Sequence, residues 1–180
     1  RRVKESISRF IEGTLYLKVN KEKTAVSYVQ GVKYLGYSFY VMKGKCRLTV
    51  HPKSKSKMKS RLKELTNRSN GWGYVKRKQK LKEYIGGWIG YYHLADMRRF
   101  LLDTDEWLRR RIRMCIWKAW KKPKTKVANL IKCGIEKSKA CEWGNTRKGY
   151  WRIADSPILK VAINNDSLRK AGYSLSLIHI

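Results

Sequence analysis

The feature that most constrains the fold is a long helical pattern over residues 97–121. Apolar side chains recur in it at the three- and four-residue spacing that aligns them on one face of a helix. Pro123 follows and ends the pattern, because proline lacks the amide proton that a helix interior requires. We predict that this face packs into the core. The face consists of Leu101, Leu108, Ile112, Cys115 and Ala119.

Helical spacing also predicts several shorter helices. His51-Pro52 and Ser156-Pro157 are each followed by a predicted helix, and Ser156 is a good N-cap with proline behind it. The other predicted helices cover residues 6–17, 75–92, 127–133, 137–141 and 165–171.

Three glycines, Gly86, Gly87 and Gly90, lie inside the predicted helix 75–92. Glycine destabilises a helix interior by roughly 1 kcal/mol per position. Their presence indicates the close approach of another helix or of an RNA backbone, and helix packing is the simpler explanation.

Residues 34–41 alternate aromatic with small side chains and are rich in strand formers, and residues 46–50 form a second such run. A turn at residues 43–45 separates them, which predicts a β-hairpin. The expected fold class is α+β, mainly α: an N-terminal helix and a β-hairpin, then a helical bundle and short C-terminal helices.

The chain has 43 Lys and Arg against 13 Asp and Glu, a formal net charge of +30. Such a surface repels itself unless a polyanion relieves the repulsion. The 21 Trp, Tyr and Phe that lie among the cations favour a folded domain that binds nucleic acid, since phosphate contacts can then combine with base stacking. No apolar run approaches the length of a membrane span, and no signal peptide opens the chain. We therefore expect no membrane partner and a cytoplasmic protein.

The predicted nucleic-acid contacts are basic residues in the helices from residue 53 to 126 and in a loop at 144–152. Lys55, Lys59 and Lys63 share one helix face, and Arg113 lies one turn from Trp117, so guanidinium and indole could stack on one nucleotide. The remaining candidates are Arg77, Lys78, Arg109, Arg110, Lys121, Lys122, Lys124, Arg147, Lys148 and Arg152.

No catalytic or metal-ligating pattern is present. The phosphate-binding loop, the serine-hydrolase elbow and the zinc-protease motif are all missing. The acids Asp103, Asp105 and Glu106 are explained by the dipole at the start of a helix. The four cysteines lack metal-binding spacing, so we expect reduced, buried thiols.

Five segments in order resemble the C-terminal part of group II intron reverse transcriptase–maturases. Residues 18–24 and 33–39 resemble the last motifs of the polymerase palm. Residues 81–92, which contain Gly-Trp-Ile-Gly-Tyr-Tyr at 87–92, and residues 107–126 resemble the maturase-specific thumb, or domain X. Residues 142–156 are similar to the C-terminal segment of bacterial members.

The resemblance implies a protein that binds intron RNA and a DNA template–primer or target DNA, and that supports splicing and RNA-directed DNA synthesis. The polymerase carboxylates of the family, which use Mg²⁺, belong to motifs that this sequence does not contain. We therefore expect no cofactor here and Mg²⁺ in the parent polymerase. Lys23 falls near the lysine of palm motif D, and Tyr34, Leu35, Gly36 and Tyr37 resemble the primer grip.

These segments predict four regions. Residues 1–51 end the palm, residues 52–126 form the thumb, and residues 127–174 form a C-terminal nucleic-acid-binding segment. Residues 175–180 read as a translated sequencing adapter, and a start at Arg1 within a helix indicates a fragment. Two alternatives are a stand-alone RNA-binding splicing cofactor and an unrelated architectural RNA-binding protein.

Overall fold

The computed structural model describes residues 2–24 and 26–173. Within them the chain forms nine α-helices, one 3-10 turn and one antiparallel sheet in the order β1-β2-β3. This confirms the expected α+β, mainly α, fold class. The elements are α1 (Arg2–Gly13), the 3-10 turn (Val29–Gly31), β1 (Lys33–Tyr34), β2 (Tyr37–Met42), β3 (Lys45–Val50), α2 (Pro52–Leu65), α3 (Tyr74–Tyr91), α4 (Arg98–Ala119), α5 (Pro123–Lys132), α6 (Lys137–Gly144), α7 (Tyr150–Ile153), α8 (Pro157–Ala162) and α9 (Asn165–Lys170).

Two tight turns of the same geometry build the sheet. Leu35 and Gly36 join β1 to β2, Lys43 and Gly44 join β2 to β3, and all four residues have positive φ. Two-residue turns with positive φ at both positions match the twist of paired strands. The predicted strand over residues 34–41 is therefore wrong at its start, because the turn at Leu35 divides it into β1 and β2.

The sheet is anchored to the end of α3 and to the loop before α4. The amide of Asp96 donates a hydrogen bond to the Leu48 carbonyl at 2.8 Å, and the Tyr40 hydroxyl donates to the Asp96 carboxylate at 2.6 Å. The Tyr91 hydroxyl donates to the Leu35 carbonyl at 2.9 Å. These bonds fix the hairpin against the helical part of the molecule.

One core joins the end of the sheet to the C-terminal helices. The helix predicted at residues 97–121 is α4, and its Leu101, Leu108 and Ile112 are almost completely buried. They belong to the same cluster as Val50 at the end of β3 and Leu168 on α9. Helix α1, in contrast, has no buried residue.

Side-chain caps define two helix starts that the sequence signals. Ser156 accepts a hydrogen bond from the Leu159 amide at the start of α8, as expected. His51 caps α2: its Nδ1 accepts from the Lys53 amide at 3.1 Å, with Pro52 in the first helical turn.

Several local predictions are corrected. The glycines Gly86, Gly87 and Gly90 do not lie against another helix, because a Cβ at any of them would meet no atom within 4 Å. The loop predicted at residues 144–152 ends at Gly149, and Arg152 lies on α7. Only Cys115 is a buried thiol; the others, Cys46, Cys133 and Cys141, are exposed.

The acids of α4 also lie differently from expectation. The helix begins at Arg98, so its first turn contains no acidic residue. Asp103 and Glu106 lie further along, where the field of the helix end has fallen off. The dipole therefore does not account for them. The predicted adapter-derived residues 175–180 lie outside the described residues.

Candidate nucleic-acid interface

The most cationic element is α2. Its apolar side chains Met58, Leu62 and Leu65 are buried, which directs the other faces of the helix outward. A single acid, Glu64, accompanies six cations, and it forms an ion pair with Arg61 at 2.6 Å. The other five cations, Lys53, Lys55, Lys57, Lys59 and Lys63, have no carboxylate partner among the described residues.

An aromatic ring from α4 lies beside two of these lysines. The Nζ atoms of Lys55 and Lys59 lie 5.4 Å and 5.7 Å from the ring centroid of Phe100. A ring face attracts a cation but does not neutralise it. We call Lys55, Lys59, Lys63 and Phe100 the α2 surface. It combines three predicted contacts with one residue that the sequence did not indicate.

A second mixed cluster joins three elements that are distant in sequence. Arg68, after α2, and Lys118, on α4, lie 4.9 Å and 5.4 Å from the ring of Tyr150 on α7. Neither cation was predicted as a contact. No sequence signal could have paired them, because the cluster depends on how the helices pack.

Three predicted contact residues are buried, which corrects the expectation for them. Trp117 is 2 % exposed, and Arg77 and Arg113 are each 5 % exposed. Arg113 donates from Nε to the Ile163 carbonyl at 2.8 Å and from Nη2 to the Asn165 side chain at 2.7 Å. Their side chains support the fold and are not open to a nucleic-acid backbone.

Arginine side chains of α4 also cap the C-terminal ends of neighbouring helices by hydrogen bonds. Arg111 donates to the Thr66 hydroxyl at 2.6 Å and to the Lys63 carbonyl at 3.0 Å, at the C-terminal end of α2. A cation is favourable at that end of a helix because the last carbonyls are unpaired. Burial lowers the pKa of the Arg111 and Arg113 guanidinium groups from the ordinary value. The arginine run of α4 is therefore largely structural.

The other two arginines predicted on α4 are half-buried. Arg109 forms an ion pair with Asp105 at 3.0 Å. Arg110 forms one with Asp155 at 3.2 Å, and its guanidinium lies 4.0 Å from the Trp151 ring centroid. The remaining predicted cations are exposed, on α3, around the start of α5, and near α7: Lys78, Lys121, Lys122, Lys124, Arg147, Lys148 and Arg152.

The residues that resemble the primer grip occupy the first turn of the sheet. Tyr34 and Leu35 are each 63 % exposed at its tip. Gly36 and Tyr37 pack inward, and the Tyr37 ring centroid lies 5.1 Å from that of Tyr92. Lys23 is exposed in a separate turn, where its amide donates to the Asn20 side chain at 3.0 Å.

Two further observations bear on the chemistry of the described residues. Residues 2–24 and 26–173 contain no group of three or more His, Cys, Asp or Glu side chains arranged to hold a metal ion. None of their helices combines the length and the apolar character needed to cross a membrane.

Part of the chain is similar to a known protein family. Residues 55–134 match the family model described as the group II intron, maturase-specific domain. This range contains most of α2, all of α3 to α5, and therefore the whole α2 surface. The comparison with curated proteins found no match. The match over residues 55–134 therefore supports the C-terminal, maturase-specific region of a group II intron maturase in that part of the chain.

Proposed function

We propose that this chain assists group II intron splicing by binding intron RNA through the α2 surface, with Arg68, Lys118 and Tyr150 as a second contact. The observation that carries the proposal is the set of unpaired cations on α2, inside the maturase-specific domain. Lysines without base-reading geometry suit contacts to the phosphate backbone. The folded backbone of an intron RNA offers the dense negative charge that such a surface needs.

The proposal is tested by replacing Lys55, Lys59 and Lys63 together with alanine in the full chain. Removing a cation that binds a phosphate weakens binding and lowers the salt dependence by about one unit of slope. We expect intron RNA to bind at least about tenfold more weakly, with a loss of splicing stimulation. Filter binding and a splicing assay on the same RNA measure the two effects.

A matched control removes the same charge elsewhere. Lys132, Lys137 and Lys170 are exposed and lie outside both proposed contacts. The corresponding triple alanine variant should bind RNA nearly as well as the unsubstituted chain. Equal weakening by the two triple variants would mean that net charge alone drives binding, and would refute a role for the α2 surface.

We also propose that the parent protein is an RNA-directed DNA polymerase of the bacterial cytoplasm, and that the turn at Tyr34 and Leu35 contacts its template–primer. The anchoring of that turn by Tyr91 supports this, because it holds two exposed side chains in a fixed position beside the thumb helices. The described residues offer no fitting Mg²⁺ site, so the proposal places the metal on carboxylates of the parent. The purified 180-residue chain should incorporate no nucleotide, and incorporation by it would overturn this assignment.

A further inference from the structure

A polar cleft lies between α4 and the C-terminal helices, and none of its lining residues belongs to the α2 surface. Its volume is about 720 Å³, within the range of roughly 300–1,000 Å³ that is usual for small-molecule sites. The buried guanidinium of Arg113 lines it, fixed by its bonds to Ile163 and Asn165. The cleft is thus lined by a polar side chain that hydrogen bonds hold in a fixed position.

Two carboxylates in the cleft have no ion-pair partner among the described residues. Asp103 and Glu106 line it, one turn apart on α4, and neither forms an ion pair with any described residue. By contrast, Asp155 at the same cleft binds Lys160 at 2.9 Å and Arg110 at 3.2 Å. Arg109, Arg110, Arg113 and Lys160 also line the cleft, but none of them forms an ion pair with Asp103 or Glu106, so both carboxylates are available as hydrogen-bond acceptors.

The same cleft also presents hydrogen-bond donors. Asn164 and Asn165 line it, and each already uses its side-chain oxygen: Asn164 accepts from the Ser167 amide at 2.7 Å, and Asn165 accepts from Arg113. Their NH₂ groups therefore remain to donate. Donors and acceptors that share one cleft suit a ligand edge that carries both.

Aromatic surface completes the site. Trp107 and Trp151 line the cleft. An arginine covers one side of each ring: Arg111 lies 5.2 Å from the Trp107 centroid and Arg110 lies 4.0 Å from that of Trp151. Proteins bind unpaired bases by stacking them on aromatic side chains and by hydrogen-bonding their Watson–Crick edges.

We propose that this cleft binds an unpaired guanine of the RNA. This inference rests on the proposed function, since it assigns a base-reading site to the same RNA-binding chain. Guanine carries an O6 acceptor next to two donors, N1–H and N2–H₂. The Asn164 and Asn165 amides complement the acceptor, and the Asp103 and Glu106 carboxylates complement the donors. Uracil presents carbonyl oxygens on both sides of its single N–H, which a carboxylate repels.

The test compares labelled single-stranded RNA probes on the full chain: oligouridine, oligouridine with one central guanosine, and the same probe with inosine, which lacks the N2 amine. We expect the guanosine probe to bind on the order of tenfold more tightly than oligouridine, with inosine between them. Fluorescence anisotropy at one fixed salt concentration measures all three.

The Asp103→Asn and Glu106→Gln double variant should lose the preference for guanosine and bind the three probes alike. Both side chains are exposed, and an unchanged thermal transition would show that the fold is intact. As the matched control, the Lys55, Lys59 and Lys63 alanine variant should bind every probe more weakly and keep the preference.

The outcomes separate the two proposals. If the unsubstituted chain binds no RNA, the proposed function fails. If it binds RNA without a preference for guanosine, or if the preference survives in the double variant, the guanine site is overturned while RNA binding through the α2 surface stands.

Discussion

Gly36 and Gly44 occupy equivalent positions in two turns of the same geometry, but their surroundings differ. Both have positive φ, which L side chains rarely adopt. A Cβ at Gly36 would overlap the Tyr92 hydroxyl, whereas a Cβ at Gly44 would meet no atom within 4 Å. Substitutions at the two positions therefore distinguish the cost of backbone strain from the cost of a packing overlap.

Replacing Gly44 with alanine should cost only the strain of the left-handed region, about 1–2 kcal/mol. Replacing Gly36 should cost roughly 1–3 kcal/mol more, since Tyr92 must move out of the core to admit the methyl group. Urea denaturation of the two variants measures both values. Equal losses would show that Gly36 is not a packing contact between the sheet and α3.

The cap of α2 makes one helix sensitive to pH. His51 must be neutral at Nδ1 to accept the bond from the Lys53 amide. Partial burial of the ring, and then the charges of Lys33 and Lys53, lower the pKa of His51 below its ordinary value. Folding thus favours the neutral ring, so this contribution is present above the unfolded-state pKa and is lost as pH falls through the folded-state pKa.

Lowering the pH from about 7.5 to about 5, across the ordinary histidine pKa, should therefore lower the melting temperature. In the His51→Asn variant, whose amide can cap without titrating, that loss should be smaller. An identical fall in both proteins would assign the pH effect to groups other than His51.

Three glycines inside helix α3 have no packing neighbours. Because nothing lies within 4 Å of a Cβ at Gly86, Gly87 or Gly90, alanine at each should stabilise the fold by roughly 0.5–1 kcal/mol. Thermal unfolding of the three single variants tests this. Destabilisation by any of them would mean that the helix has a close neighbour at that position.

The accuracy of the sequence-based predictions follows the range of the interactions involved. Periodicity located α3 and α4 within a residue or two, and the Ser156 cap was correct, because these signals are local. The turn at Leu35 was missed because Leu-Gly is a weaker turn signal than Asn-Gly or Asp-Gly. The burial of Arg113 was missed because its hydrogen-bond partners, Ile163 and Asn165, lie far away in the chain.

At the scale of the whole molecule, aromatic faces partly take the place of acids as partners for the excess cations. Nine pairs of a cation and an aromatic ring lie within the described residues. Rings hold cations in place without removing their charge. The surface therefore stays both ordered and repulsive, which suits it to a polyanion.

This repulsion predicts that salt stabilises the chain. Screening grows as the Debye length falls from about 10 Å at 0.1 M to about 3 Å at 1 M, so the melting temperature should rise with sodium chloride. Sucrose at matched osmolality is the control for general solute effects. A melting temperature that falls with salt would show that attractive ion pairs outweigh the repulsion.

The central claim is that the chain holds intron RNA by contacts to its phosphates, and the salt dependence of binding tests it most directly. The measurement is the equilibrium binding constant for a group II intron RNA between about 50 mM and about 500 mM salt. The account predicts that its logarithm falls linearly with the logarithm of the salt concentration, with a slope of several units. A binding constant that stays the same across this range would contradict it.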